Sequence, residues 1–389
     1  MESFMYFNPT KLLFGRGQLS HLPKEVSAYG KKVLLVYGGG SIKKNGLYNQ
    51  IITLLEQAEI EWVELSGVEP NPRVTTVRKG IALCKRENIE FVLAVGGGSV
   101  IDCVKAIVVG AKTDRDVWDI ISRKSRAEDG LPYGSVVTIS GTGAEMSLTS
   151  VISDWETKEK RAWVSSFSRA KFSIVDPSFM TTVPREQTVN GIVDTMSHIL
   201  EHYFHTGKNT PIQDQFCESV LRTLIDVTPK LLEDLDNYEL RETIAYASTI
   251  ALSDQLNMGF VGDWATHHID HALSAVHDIP HGGGMAILYP HWMKYVFDKQ
   301  NVNKFSQLAI NVLGIDATGK TKMEIAEKGI EALAHIWTSW GAPSKLSEYD
   351  ITDETLPLIA QKTLEAAPKC GNFKRLSETD VLAILNSSL

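Results

Sequence analysis

Twice in this chain an apolar run rich in β-branched residues stops at three consecutive glycines and a serine. VLLVY leads into Gly38-Gly39-Gly40-Ser41, and FVLAV leads into Gly96-Gly97-Gly98-Ser99. A near-continuous apolar run is what a strand buried on both faces looks like. The glycines let the chain turn sharply at the strand end, and the second turn opens directly onto the helical stretch SVIDCVKAIVVGA. Two strand–turn–helix units commit the chain to βαβ topology with a parallel sheet. KKVLLVYG, IEWVELSG, FVLAVGGG, GSVVTIS and AKFSIVD supply the predicted strands, with segments of helical period between them up to about residue 180. From Pro184 onward, long stretches of 3.6-residue period follow one another and strand runs disappear. The expected fold class is therefore an α/β domain over residues 1–183 and an all-α domain over 184–389, with DPSFMTTVP as the hinge.

The formal net charge of -8, with no basic block, argues against nucleic acid or an anionic membrane as partner and favours a small-molecule enzyme. No run approaches the length of a membrane span, and MESFMYFNPTKLLFGRG lacks the basic-then-apolar pattern of a signal peptide. A cytoplasmic location is the expectation. Cys84, Cys103, Cys217 and Cys370 are far apart and read as buried thiols, not as a disulfide or thiolate framework.

Glycine turns at strand ends admit a pyrophosphate close to the backbone, and a helix start favours its charge. A tight strand-to-helix turn would use glycine without any ligand. Asp102 faces either the ribose and nicotinamide of a dinucleotide or the backbone as a capping carboxylate. Thr138, Ser140 and Thr142, in VVTISGTGAE, offer hydroxyls after a strand, with ordinary turn chemistry as the alternative.

Nine of the eleven histidines fall between His198 and His291. Asp194 and His198 are spaced to share one helix face, one turn apart. His267 and His281, in THHIDHALSAVHDIPHGGG, come together if the chain runs down a helix and turns at Pro280. One carboxylate with three imidazoles suits zinc or ferrous iron and leaves positions open for a substrate oxygen. His271, one turn after His267, is expected to face the same space as a proton-relay group. His277 either lines the substrate pocket or satisfies a loop hydrogen bond. His268 points elsewhere on its helix and reads as structural, and His202 and His205 read as packing or surface groups.

On FGRG, GGGSVID, SGTGAE, IVDPSFMTTVPREQTVNGIVDTMSHILEHY and HHIDHALSAVHDIPHGGGMAILYP, the chain resembles the metal-dependent group III, or iron-containing, alcohol dehydrogenases over nearly its whole length. Its YGGGSIKK and DWATHHIDHALSA segments are most similar to the butanol-dehydrogenase-like aldehyde reductases. The resemblance implies a Rossmann-like N-terminal domain, an all-helical C-terminal domain as in dehydroquinate synthase, and a homodimer. It places metal ligands on Asp194, His198, His267 and His281, and pyrophosphate contacts on Gly96, Gly97, Gly98 and Ser99. Asp102 falls at the nicotinamide end, Thr138 and Thr142 at adenine-side and ribose-side contacts, and Lys160 near the nicotinamide ribose. Ser140 and Ser147 are counted on the cofactor side, as are Gly38, Gly39, Gly40 and Ser41.

NAD-preferring dinucleotide enzymes commonly hold the adenosine ribose with an acid after the second strand. Here that place is Gly38, followed by Ser41, Lys43 and Lys44, so NADP(H) is expected over NAD(H). The expected reaction is reversible hydride transfer between NADP(H) and a small primary alcohol or aldehyde such as butanol or butanal. The alternatives are a dehydroquinate-synthase-like lyase, a glycerol-dehydrogenase-like polyol oxidoreductase and a non-catalytic dinucleotide or metal sensor. The lyase would need a basic cluster around the ligands, which is not present.

Overall fold

The computed structural model describes residues 1–389. The chain forms two compact units, one made of Phe7–Val183 with Leu235–Ser253, the other of Met1–Tyr6, Pro184–Asp234 and Asp254–Leu389.

The first unit is built on a six-stranded sheet of β1 (Lys11–Phe14), β2 (Lys32–Tyr37), β3 (Glu61–Leu65), β4 (Phe91–Gly96), β5 (Tyr133–Val137) and β8 (Phe172–Val175). The order is β1-β8-β5-β4-β2-β3 and every pairing is parallel. Alternation along β2 explains why its sequence is apolar throughout. Val33, Leu35 and Tyr37 pack with Ile51 and Leu55 of the Leu47–Gln57 helix, whereas Leu34 and Val36 pack with Val104 and Ile107 of the Gly98–Gly110 helix. Both faces are therefore covered. The chain runs outward from β2 to β3, then returns to β4 on the other side of β2. The two glycine turns thus sit at the carboxyl ends of adjacent strands where the strand order reverses, the place where open α/β sheets bind ligands.

β6 (Thr149–Asp154) and β7 (Glu159–Val164) form an antiparallel hairpin that the periodicity does not announce. KEKRAW is thus the second arm of a hairpin, but Lys160 within it is buried and not solvated. The helix Tyr238–Ala251, expected with the helical half, groups instead with the α/β unit. The Ser248 hydroxyl accepts the Gly141 N–H at 2.7 Å and the Thr249 hydroxyl donates to Glu145 at 2.8 Å, tying this helix to the SGTGAE loop.

The second unit is helical, apart from an isolated bridge between His205 and Gly262. Its Arg185–Tyr203 helix is buried from Gly191 to Tyr203, as expected of a helix packed on all sides. The His281–Val296 helix begins with Gly282-Gly283-Gly284 because it comes so close to its neighbours. A Cβ at 282 would strike the Asn190 backbone, and one at 284 would strike the Asp270 carboxylate. No helix is long and apolar enough to cross a membrane.

Candidate metal centre

Three segments of the helical unit converge on one point. Asp194 and His198 project from the Arg185–Tyr203 helix, His267 from the Ala265–His277 helix, and His281 from the first position of the next helix, after the turn at Pro280. Their ligand atoms all lie within 4.8 Å of one another. The Asp194 Oδ1 atom is 3.3 Å from His198 Nδ1 and 3.4 Å from His281 Nε2, and the His198 and His267 rings are 4.6 Å apart between centroids. Asp194, His198 and His267 are buried, with 4 to 5% of their surface exposed.

Asp194 Oδ1, His198 Nδ1 and His267 Nε2 have no hydrogen-bond partner. Leaving a buried polar atom unsatisfied costs on the order of 1–3 kcal/mol. Three such atoms directed at one point fit a divalent cation. Burial pushes the His198 imidazole below its ordinary pKa, and burial with the neighbouring imidazoles pushes His267 well below it. Both rings are held in the neutral form that ligates metals.

Two carboxylates that sequence spacing did not single out orient these rings. Glu201, fully buried, accepts His267 Nδ1 at 2.9 Å, the Trp264 N–H at 2.6 Å and the Thr266 hydroxyl. Asp270, also fully buried, accepts His281 Nδ1 and, at 3.2 Å, the Ser274 hydroxyl. With Nδ1 donating, Nε2 is the atom left for a metal, the usual second partner of a ligating histidine. Trp264 sits at φ 68°, a left-handed conformation costly for a bulky residue, and its ring lies 5.2 Å from that of His267. The residue before it, Asp263, accepts the N–H groups of Ala265, Asn372 and Phe373, which holds this strained turn in place.

The remaining histidines separate clearly. His271 flanks the cluster, 6.4 Å from His267 and 5.9 Å from His281 between ring centroids. His277 ends its helix with Nε2 2.8 Å from the Thr355 hydroxyl, in line with the loop hydrogen-bond alternative. His205 stacks on Phe260 and meets Asp214 at 3.0 Å, and His202 packs edge-on against Trp264. Both are buried, so neither is a surface group.

In the α/β unit, Gly96 ends β4, Gly97 precedes the Gly98–Gly110 helix, and Ser99 lies in its first turn. A Cβ at Gly96, Gly97 or Gly98 would collide with Val100, Ile139 or Thr142 respectively, so packing within the chain already demands these glycines. The first turn differs. Gly40 has φ +97°, but Gly39 has open space around it and no positive φ, and Gly38 has only ordinary contacts. Nothing in the fold requires glycine at 38 or 39. Ser41 opens the short Ser41–Lys44 helix beside them.

Asp102 is five residues into its helix and does not cap it. Its carboxylate accepts the Val151 N–H at 2.9 Å and lies 3.4 Å from the buried Lys105 ammonium, which joins the helix to β6. The Thr138 N–H donates to Gly96 at 3.1 Å, which brings this loop beside the second glycine turn, and Thr142 lies against Gly98. Ser140 donates to the Met180 sulfur at 3.1 Å, Ser147 accepts the Thr149 N–H at 3.0 Å, and Lys160 reaches Asn71 at 2.8 Å.

Two family models match the chain, iron-containing alcohol dehydrogenase over residues 9–177 and the C-terminal domain of the Fe-containing alcohol dehydrogenase family over residues 188–389. A probable NADH-dependent butanol dehydrogenase of Bacillus subtilis is 57% identical, with all of both chains covered. An NADPH-dependent aldehyde reductase of Escherichia coli is 33% identical over 94% of each chain. The crystal structure of an NADH-dependent butanol dehydrogenase from Thermotoga maritima superposes with a TM-score of 0.95 at 41% identity, covering 100% of this chain and 99% of that one.

Proposed function

The chain belongs to the iron-containing alcohol dehydrogenase family and is an NAD(P)-dependent alcohol dehydrogenase, and we propose that it interconverts small primary alcohols and their aldehydes, of the size of butanol and butanal, at the Asp194, His198, His267 and His281 cluster. The observation that carries this reading is the convergence of four donor groups, three with buried unpartnered atoms, on one point. Zinc or ferrous iron held there supplies Lewis acidity toward a substrate oxygen. Asp194 contributes the one negative charge among the donors, which leaves a dication partly uncompensated. Glu201 and Asp270 hold His267 and His281 in the tautomer that presents Nε2. His271, flanking the cluster, is positioned to hold or pass the proton of the substrate hydroxyl.

The glycine turns at the sheet's reversal point are the proposed dinucleotide site, with Gly96, Gly97, Gly98 and Ser99 toward the pyrophosphate and Gly38, Gly39, Gly40 and Ser41 toward the adenosine ribose. Thr138 and Thr142 border the second turn in keeping with this. We propose that NADP(H) is accepted, because the 38–41 turn carries no carboxylate to repel a 2′-phosphate. The names of the Bacillus and Thermotoga relatives favour NAD(H) as a second reading, and kcat/KM for both coenzymes with butanal decides between them. Gly38 has room for a Cβ, which would meet its nearest neighbours at 3.4 and 3.8 Å, and Gly38→Asp is expected to move the ratio toward NAD(H).

The decisive test of the centre is His198→Ala or His281→Ala. Either variant should lose bound metal and butanal reduction while keeping its far-ultraviolet circular dichroism. Full metal content with near-normal turnover would place the chemistry elsewhere. A homodimer is the proposed assembly, supported by the free outer edge of β1 and by the exposed Phe4 and Met5. Sedimentation equilibrium measures it.

A further inference from the structure

The 38–41 turn holds no acid, but one reaches its flank from the neighbouring strand. Glu64, the penultimate residue of β3, accepts the hydroxyl of Tyr37, which immediately precedes Gly38, and that of Tyr48 in the Leu47–Gln57 helix. Lys43, two residues after Ser41, brings its ammonium to 3.5 Å from the same carboxylate. That ammonium also lies 5.1 Å from the Tyr37 ring centroid and 4.5 Å from that of Tyr48, so two aromatic faces and one carboxylate hold it. We infer that Glu64 is a specificity-determining residue, engaging Lys43 in an ion pair that a coenzyme 2′-phosphate must compete with, and so tilting the adenosine end toward NAD(H).

The inference rests on the reading of the 38–41 turn as the adenosine end. Lys43 is the cation nearest in sequence to that turn, and an ammonium already shared with a carboxylate offers a phosphate less than a whole charge. The carboxylate is itself fixed. Burial opposes its ionisation, but the hydrogen bonds from Tyr37 and Tyr48 and the Lys43 ammonium together outweigh burial and hold Glu64 below the ordinary carboxylate range. A neighbouring carboxylate held in one place repels a second anion at the same ammonium, whereas a freely rotating one would swing away. The acid that such sites commonly carry after the second strand is here supplied from the third, acting on the phosphate's counter-charge and not on the ribose hydroxyls.

The test compares two fragments that differ only in the 2′-phosphate, adenosine 2′,5′-bisphosphate and 5′-AMP, titrated calorimetrically into the wild-type protein and into Glu64→Gln and Lys43→Met. Glu64→Gln should tighten the bisphosphate relative to 5′-AMP by about 1.5- to fivefold, the range of a partly exposed ion pair. Lys43→Met, at a half-exposed position that puts folding at little risk, should weaken the bisphosphate and leave 5′-AMP unchanged. The kcat/KM ratio for NADPH over NADH should follow in the same directions. If both fragments bind in competition with the coenzyme but their ratio is the same in all three proteins, the Glu64–Lys43 pair does not set the preference. If neither fragment competes with the coenzyme, the adenosine end lies elsewhere and the underlying reading falls with the proposal.

Discussion

Glu201 follows His198 by three residues and Asp270 follows His267 by three, yet each carboxylate serves a ligand on a different segment: Glu201 accepts from His267 and Asp270 from His281. The cross-connection makes each ligand's orientation depend on packing between segments as well as on its own helix. Both acids are visible in the sequence as charges within otherwise buried stretches, but which ring each meets is decided by how the helices pack, and spacing carries no signal for that. Glu201→Gln puts an amide N–H₂ where only acceptors suit the donors of Trp264, Thr266 and His267, and Asp270→Ala removes the oxygen that accepts from His281 Nδ1. Metal affinity should fall by about 10- to 100-fold in each variant, as expected for loss of a ligand's outer partner. Competition with a chromophoric chelator reads this directly, whether or not the enzyme turns over. Unchanged affinity in both variants would reduce the two acids to packing groups.

At the scale of elements, the two glycine turns look alike in sequence and differ in what requires them. Gly96, Gly97 and Gly98 are glycine because Val100, Ile139 and Thr142 leave no room for a Cβ, so close packing of strand, helix and loop accounts for them without a ligand. Gly39 has no such reason, and its open surroundings suit the proposed close approach of a dinucleotide. The expected contrast is specific. Gly97→Val should lower the melting temperature through the collision with Ile139, so any loss of coenzyme binding in that variant reports on the fold as well as the site. Gly39→Ala should melt as the wild type does and still bind coenzyme less tightly. Fluorescence titration with NADPH and NADH, paired with a thermal scan, separates the two effects, and wild-type affinity in Gly39→Ala would remove the first turn from the site. The β6–β7 hairpin is harder to read in sequence. Its strands, TSVISD and EKRAWV, mix polar and apolar residues on both faces, and its place is held by Asp102 and the buried Lys105, whose partners are 44 to 49 residues away.

For the whole molecule, the parallel sheet was legible because buried strands and glycine turns are local signals, and the helical unit because its periodicity is long. The return of Leu235–Ser253 to the α/β unit was not, since it depends on contacts such as Ser248 with Gly141, 107 residues apart. The metal centre combines both kinds of information: Asp194 and His198 are one helix turn apart, but His267 is 69 residues beyond His198 in the chain. An unfolded chain cannot hold those donors together, so a cation binds the native state almost exclusively and its binding free energy adds to folding stability. At a free metal concentration about a hundred times the dissociation constant, the gain is about 2.7 kcal/mol. Chelation should therefore lower the calorimetric melting temperature, and added zinc or ferrous iron should restore it. In His198→Ala the same additions should move it far less, because one donor is gone while the fold around it persists. A melting temperature indifferent to chelator in the wild type, with metal shown to have been removed, would mean that the four donors are held by packing alone and that the cation contributes nothing to the stability of the helical unit.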